Sequence, residues 1–271
     1  MKQIVFLVIF LLLYNLGRTQ NIEQSNVPAV VLNAFQLKFS NASDISWKKE
    51  GKNYRIEFKV HNKKNKLLLD YKGNMIKHIQ NLYLSEIPKT VLKTVGANVT
   101  YYDINNARKI QEKGETTYEI YFKNNGKDYL FRINEKGKLI KLRKELNNNE
   151  IPEKVLNTIK YRHPSFELYR AKYLEENDIK FYMLRGRINH YKCLWEISNK
   201  GDVLRYEQDL KTSELPAAIR QKVKEEYSNY QIDDADRLEQ GKHLSYKLKL
   251  KKSRKYIYVT FSPSGQKLSN E

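Results

Sequence analysis

A single cysteine, Cys193, stands in 271 residues, so no internal disulfide can form even in a compartment that would permit one. It alternates with Trp195 and Ile197 on an apolar strand pattern and reads as a buried, inert thiol. The five histidines, His61, His78, His163, His190 and His243, are scattered with no pair at helical ligand spacing, and no carboxylates gather round them. That leaves no legible zinc or calcium site. No Gly-rich loop follows a strand pattern and no Gly-x-Ser-x-Gly elbow occurs, so neither a phosphate cradle nor a serine nucleophile is signalled. No cofactor, metal or catalytic residue is expected.

Long apolar runs are also missing, with one exception. Lys2 precedes the run Ile4 to Leu13, and Gly17-Arg18-Thr19 leads into Gln20. This reads as a signal peptide over 1–19, cleaved between Thr19 and Gln20; an uncleaved anchor is the alternative, disfavoured by so short a stretch. The chain is therefore expected to be exported, to the periplasm or beyond the cell, with no membrane span once the signal is removed. Acidic residues are the minority, 31 against 50 Lys and Arg, for a net charge of +19. Such a surface attracts acidic proteins, envelope headgroups or polyanions, or simply keeps an exported chain soluble. Nucleic acid is not the expected partner.

What the chain does have is a ruler. Gly73, Gly137, Gly201 and Gly265 recur every 64 positions, each preceded 19 positions earlier by a tyrosine, Tyr54, Tyr118, Tyr182 and Tyr246. Fixed self-similarity of this kind signals a repeat architecture. Aliphatic-proline pairs open each copy: Val27-Pro28, Ile87-Pro88, Ile151-Pro152 and Leu215-Pro216, with Ser25, Ser85, Asn149 and Ser213 three residues before the prolines. A polar residue followed by proline marks a helix start. Apolar residues then step by four, as in Val27, Val31, Phe35, Phe39 and Ile87, Val91, Val95, Val99, which predicts an amphipathic helix of about three turns.

After each helix the period changes to two. Ile45, Ile110, Leu174 and Leu238 mark a first strand, the four tyrosines lead a second, and Leu67, Phe131, Trp195 and Val259 lie in a third. The glycine turn comes next, and Ile76, Ile140, Leu204 and Leu268 mark a fourth. The expected fold is α+β: four tandem units, each one helix on a four-stranded antiparallel sheet, with boundaries 20–84, 85–148, 149–212 and 213–271. Asn147-Asn148-Asn149 looks most like a linker, which predicts two double-unit domains. Pro28 to Pro88 spans 60 residues rather than 64, so unit one is expected to have a shorter connection between helix and second strand. Asp233-Asp234-Ala235-Asp236 is expected to be a solvated turn.

The aliphatic-Pro helix, the segment Ile45-Ser46-Trp47-Lys48-Lys49-Glu50-Gly51, the segment Tyr54-Arg55-Ile56-Glu57-Phe58, the turn Asp70-Tyr71-Lys72-Gly73, and the openings Leu84-Ser85-Glu86-Ile87-Pro88 and Ser213-Glu214-Leu215-Pro216 together resemble the PepSY-like domains related to beta-lactamase inhibitor proteins. The resemblance covers nearly all of the chain after residue 19. It implies an exported, non-enzymatic protein whose open sheet face grips an enzyme. Two departures count against beta-lactamase as the target: the tryptophan occurs in unit one alone, with Glu112, Glu176 and Gln240 aligned to it, and one cysteine cannot supply the inhibitor's disulfides.

Two surface features remain. Alternation turns Tyr121, Phe181, Met183, Arg185, Lys249, Tyr256 and Tyr258 away from the helices, an interface-like mix of aromatic, Met and basic side chains that could equally face another layer of the protein. The hairpin tips are basic, with Lys63, Lys64, Arg187, Lys252, Arg254 and Lys255 forming either an anion-binding ridge or ordinary edge protection. The leading expectation is a binder of an unidentified protein partner, an enzyme among the candidates, acting as inhibitor or regulator. The alternative is a binder of anionic polymers or envelope surfaces.

Overall fold

The computed structural model describes residues 19–270, so the expected signal peptide lies outside the described residues but for Thr19. Among them are four helices and a large antiparallel sheet, an α+β protein. Strand β1 (Thr19–Ile22) precedes α1 (Ala29–Lys38) and β2 to β5 (Ser43–Glu50, Asn53–Val60, Lys63–Leu69, Met75–Leu82). Then come α2 (Lys89–Asn98) with β6 to β9 (Asp103–Glu112, Glu115–Asn124, Lys127–Asn134, Leu139–Leu146), and α3 (Glu153–Arg162) with β10 to β13 (Phe166–Glu176, Ile179–Ile188, Tyr191–Ser198, Val203–Asp209). Last are α4 (Ala217–Glu226) and β14 to β17 (Gln231–Gln240, His243–Lys252, Lys255–Phe261, Lys267–Asn270).

The prolines stand one residue before each helix, at φ −54°, −59°, −56° and −50°. Their ring fixes the angle the helix start needs, and their carbonyls accept the first helical bonds, as Val31 and Leu32 N–H donate to the Pro28 oxygen at 3.0 Å. The polar residues three positions earlier are not the caps. They lie in a 3₁₀ turn, and in the last three copies Glu86, Glu150 and Glu214 accept the backbone N–H of Tyr83, Asn147 and Lys211 at 2.8, 2.7 and 2.8 Å.

Each helix buries its predicted stripe on its own strands. Val31 and Phe35 pack with Trp47, Ile56 and Leu67; Val91 and Val95 with Ala107, Ile120 and Phe131; Val155 and Ile159 with Leu184 and Trp195; Ile219 and Val223 with Leu248 and Phe261. Tyr54, Tyr118 and Tyr246 are buried at the core edge, and Tyr182 is half-buried. Cys193 is buried and its thiol is pushed up to about 11 by burial, so it is an unreactive core residue. The ruler glycines have φ near +80° to +90°, the left-handed region closed to most side chains. At Gly73 close approach adds to this: a Cβ would lie 2.9 Å from Ala34 Cβ and 3.1 Å from the Val30 carbonyl of α1.

The four residues missing from the first copy are not in a loop. Trp47 pairs with Ile56, Ala171 with Leu184 and Ala235 with Leu248, so alanine occupies Trp47's place, with buried Ala107 the counterpart on β6. From there to the ruler tyrosine the later copies run four residues further, two on each arm of the hairpin. The loops stay at two residues: Gly51-Lys52, Lys113-Gly114, Asn177-Asp178 and Gly241-Lys242. The alignment of Glu112, Glu176 and Gln240 with Trp47 is thereby corrected. Those residues are at hairpin ends, where Glu112 pairs with Lys77 and Glu176 with Lys141.

By contacts the chain divides into two compact units, one of residues up to Asn81 with Ile110–Glu115, the other of Leu82–Lys109 with Thr116–Asn270. In the smaller, β1 to β5 form a consecutive antiparallel ladder under α1. In the larger, β7 to β17 run as one consecutive antiparallel ladder. The division expected at Asn147–Asn149 is therefore absent. There β9 pairs with β10 from Leu146↔Ala171 to Lys141↔Glu176, and Lys141 bridges Glu176 at 2.6 Å while Arg170 pairs with Glu145. A sheet edge that would otherwise be open is closed across the junction.

Candidate functional site

Strand alternation sends every second side chain away from the helices, and in the larger unit that face carries most of the chemistry. On β7 and β8 it holds Glu119, Tyr121, Leu130 and Arg132. Glu119 is buried, accepting from Arg132 Nε at 3.1 Å and Nη2 at 2.5 Å and from the Tyr121 hydroxyl at 2.9 Å. The Arg108 guanidinium stands 5.1 Å from the Tyr121 ring centre. Burial alone would raise the Glu119 pKa, but the hydrogen bonds and charge of Arg132, with Tyr121 and Arg108, outweigh it and hold the carboxyl below its ordinary value. Tyr121 is thus a half-buried member of an internal network.

On β9 to β12 the face turns cationic. Phe181 and Met183 are half-buried, and Arg185 and Arg187 are exposed. Met183 is opposite Lys172, Arg185 opposite Arg170, and Arg187 opposite Lys192. Lys172 is held below its ordinary pKa, first by burial and then by Arg170 and Arg143, with Arg185 adding to the repulsion.

On β13 and β14 it turns acidic. Asp233 to Asp236 lie within a strand rather than in a solvated turn. Extended backbone is kept there by a bulge between Ile232 and Asp234, and Asp233 bridges Lys249 at 2.6 Å. Asp209 and Asp236 are direct cross-strand partners and share a hydrogen bond. Asp236 is pushed up to about 7 by burial and by Glu207, Asp234 and Asp209, against the opposing charge of Lys247.

On β15 and β16 three expected contact residues meet. Tyr256 and Tyr258 remain 45% and 38% exposed, with Lys249 Nζ 4.3 Å from the first ring centre and Lys247 Nζ 5.2 Å from the second. Beyond them the hairpin tip exposes Lys252, Arg254 and Lys255. Lys63 and Lys64 stand at the β3–β4 tip of the smaller unit, Lys64 exposed and Lys63 half-buried on the core side. Arg187 lies on β11 rather than at a tip.

Sequence reasoning missed the buried and half-buried polar pairs: Glu119 with Arg132, Asp209 with Asp236, and in the smaller unit Asn65 with His78, whose Nε2 is 3.0 Å from Asn65 Oδ1. Asn65 alternates with Leu67 and Leu69 on the core side of β4, the one signal that could have found it. Among the described residues no group of three His, Cys, Asp or Glu side chains is arranged to hold a metal ion.

A family model described as "Putative beta-lactamase-inhibitor-like, PepSY-like" matches residues 15–77, 78–141 and 196–268. None of the curated proteins compared with the chain matches it. Among solved structures, it is similar to a DUF2874 family protein from Bacteroides uniformis, at 13% identity over 45% of this chain and 88% of that one, with a TM-score of 0.38. It is similar to a BLIP-like protein from Bacteroides fragilis, at 17% identity over 46% and 91%, with a TM-score of 0.37. A third similarity is to a Bacteroides eggerthii structure described as "putative periplasmic proteins", at 15% identity over 44% and 88%, with a TM-score of 0.39.

Proposed function

The chain belongs to the PepSY-like, beta-lactamase-inhibitor-like family, and from that premise we propose that it is an exported, non-enzymatic protein-binding module that restrains or regulates a secreted or envelope enzyme. The observation that carries this reading is the β15–β16 patch. Two large aromatic side chains stay exposed on a regular sheet face, each under a lysine, which is the residue mix of interface anchors. Phe181 and Met183 extend the same chemistry on β11. Export is supported by the basic start and apolar run at the N-terminus; among the described residues no helix is long and apolar enough to cross a membrane.

We read the chain as four PepSY-like units, 20–84, 85–148, 149–212 and 213–271. The family match passes over 142–195. Supporting the inclusion of that stretch are α3 followed by β10 and β11, Tyr182 on the 64-residue ruler, and a separate core around Val155, Ile159 and Trp195.

The test is retention of envelope proteins on the immobilised chain, compared with a Phe181→Ala, Tyr258→Ala variant of unchanged thermal unfolding. A partner should be held through high salt by the natural chain and bound about tenfold or more weakly by the variant. Binding that falls steeply with salt and is lost on Lys252→Glu, Arg254→Glu would instead assign the function to the basic tip and an anionic polymer. Equal retention by the aromatic variant overturns the reading.

A further inference from the structure

The strands after α3 line a cavity of about 430 Å³ whose charged walls are Arg170, Arg185, Arg187 and Lys192 on one side and Glu207 and Asp209 on the other. Its charge follows from register. Arg170 and Arg185 are Cα partners across β10–β11, and Arg187 and Lys192 across β11–β12, so four cations fill two neighbouring cross-strand pairs. Like charges directly opposite one another destabilise a ladder. The core does not require them, since the helix side of the same strands is filled by Leu184, Ile188 and Cys193.

Two carboxylates face these cations: Glu167 is the Cα partner of Arg187 across β10–β11, and Asp209 acts on Lys192, whereas Arg185 lies opposite Arg170 and Leu194. Glu145 is taken by Arg170, Glu207 on the far wall is taken by Arg205, and Asp209 shares its hydrogen bond with Asp236. Arg185 makes no hydrogen bond or ion pair among the described residues. The Arg187 guanidinium lies 5.4 Å from the Tyr169 ring, which the β10 bulge between Leu168 and Arg170 turns outward.

We propose that this cavity is an oxyanion-binding site, taking a phosphate or carboxylate group of a small ligand between Arg185 and Arg187, with Lys192 as a third positive charge. Guanidinium forks match both groups with paired, charge-assisted hydrogen bonds. The volume suits a small ligand, and Leu194 and the Tyr169 ring offer it apolar walls. Neighbouring Lys172 is lowered first by burial and then by Arg170 and Arg143, with Arg185 a smaller contribution. The site stands independently of the protein-partner reading, because its ligand is small and its test needs no partner.

Calorimetric titration of the full chain with pyrophosphate and with citrate decides the matter. Saturable one-to-one binding of at least one probe is expected, weakened about tenfold or more by Arg185→Gln. Lys160→Gln, the same charge change on the helix side, should leave it intact. Preference for pyrophosphate assigns a phosphate group, preference for citrate a carboxylate. Arg187→Gln serves if the first variant does not fold. Absence of saturable binding, retention in the arginine variants, or equal loss in Lys160→Gln overturns the site.

Discussion

Gly186→Ala should destabilise the chain by about 3 kcal/mol or more, the upper end of overpacking costs, measured by urea unfolding. A Cβ at Gly186 would lie 2.2 Å from the Glu167 carbonyl oxygen and 2.4 and 2.7 Å from carbons of the Phe166 ring. On the 64-residue ruler this position holds Phe58, Phe122 and Leu250, all buried. In the third copy the bulk comes from the neighbouring strand instead. Phe166 on β10 fills the space that β11 leaves empty, and interiors packed to crystal density accept one occupant there. Phe166→Ala clears the ring but not the carbonyl. Gly186→Ala combined with Phe166→Ala should therefore recover only part of the loss, and the two effects should fail to add. A cost for Gly186→Ala below about 1 kcal/mol, the ordinary range for a surface change, would show that β10 yields freely and that the exchange of bulk is incidental.

That exchange marks where the sequence could be read and where it could not. The helix stripes were legible because burial at steps of four leaves Val, Ile and Phe little substitution freedom: Val31, Val91, Val155 and Ile219 are all fully buried. The ruler glycines were legible because only backbone geometry fixes them. Trp47 misled, because volume is conserved in a core as a sum and not position by position. Tryptophan on β2 beside Leu67 gives way to Ala171 on β10 beside Trp195. The asparagine run at 147–149 misled because turn composition describes the backbone locally and is silent on which strands pair across it. The open face was legible in type only. Alternation told which residues turn away from the helices, but Glu119 with Arg132, and Asp209 with Asp236, depend on cross-strand register, which no single strand encodes.

Asp236→Asn should flatten the pH dependence of stability and stabilise the chain by about 2 kcal/mol near pH 8, with almost no effect near pH 4. Asp236 faces Glu207 and Asp209 from β13, Asp234 on its own strand and Lys247 on β15, while Lys192 on β12 acts on Asp209. Burial and three like charges push its pKa from 3.8 to about 7. Between those values the folded chain holds a proton that the unfolded chain has released. The associated stability is complete below about pH 4 and lost as pH rises through 7. A shift of that size corresponds to about 4 kcal/mol at most. Water reaching the half-buried carboxyl, and a proton shared with Asp209 so that the pair titrates together, reduce this by about half. Asparagine keeps a hydrogen bond to Asp209 without the charge. Other carboxyls, such as Glu57 and Glu119, are lowered and act in the opposite sense, but they are common to both proteins and cancel in the difference. The two Cα-paired aspartates lie on the β13–β14 ladder that joins the strands after α3 to those after α4. Loss of the proton should therefore show first as faster amide exchange in Glu207 to Asp209. Parallel stability profiles for the two proteins from pH 4 to pH 8 would mean that both aspartates ionise freely and the ladder carries no proton.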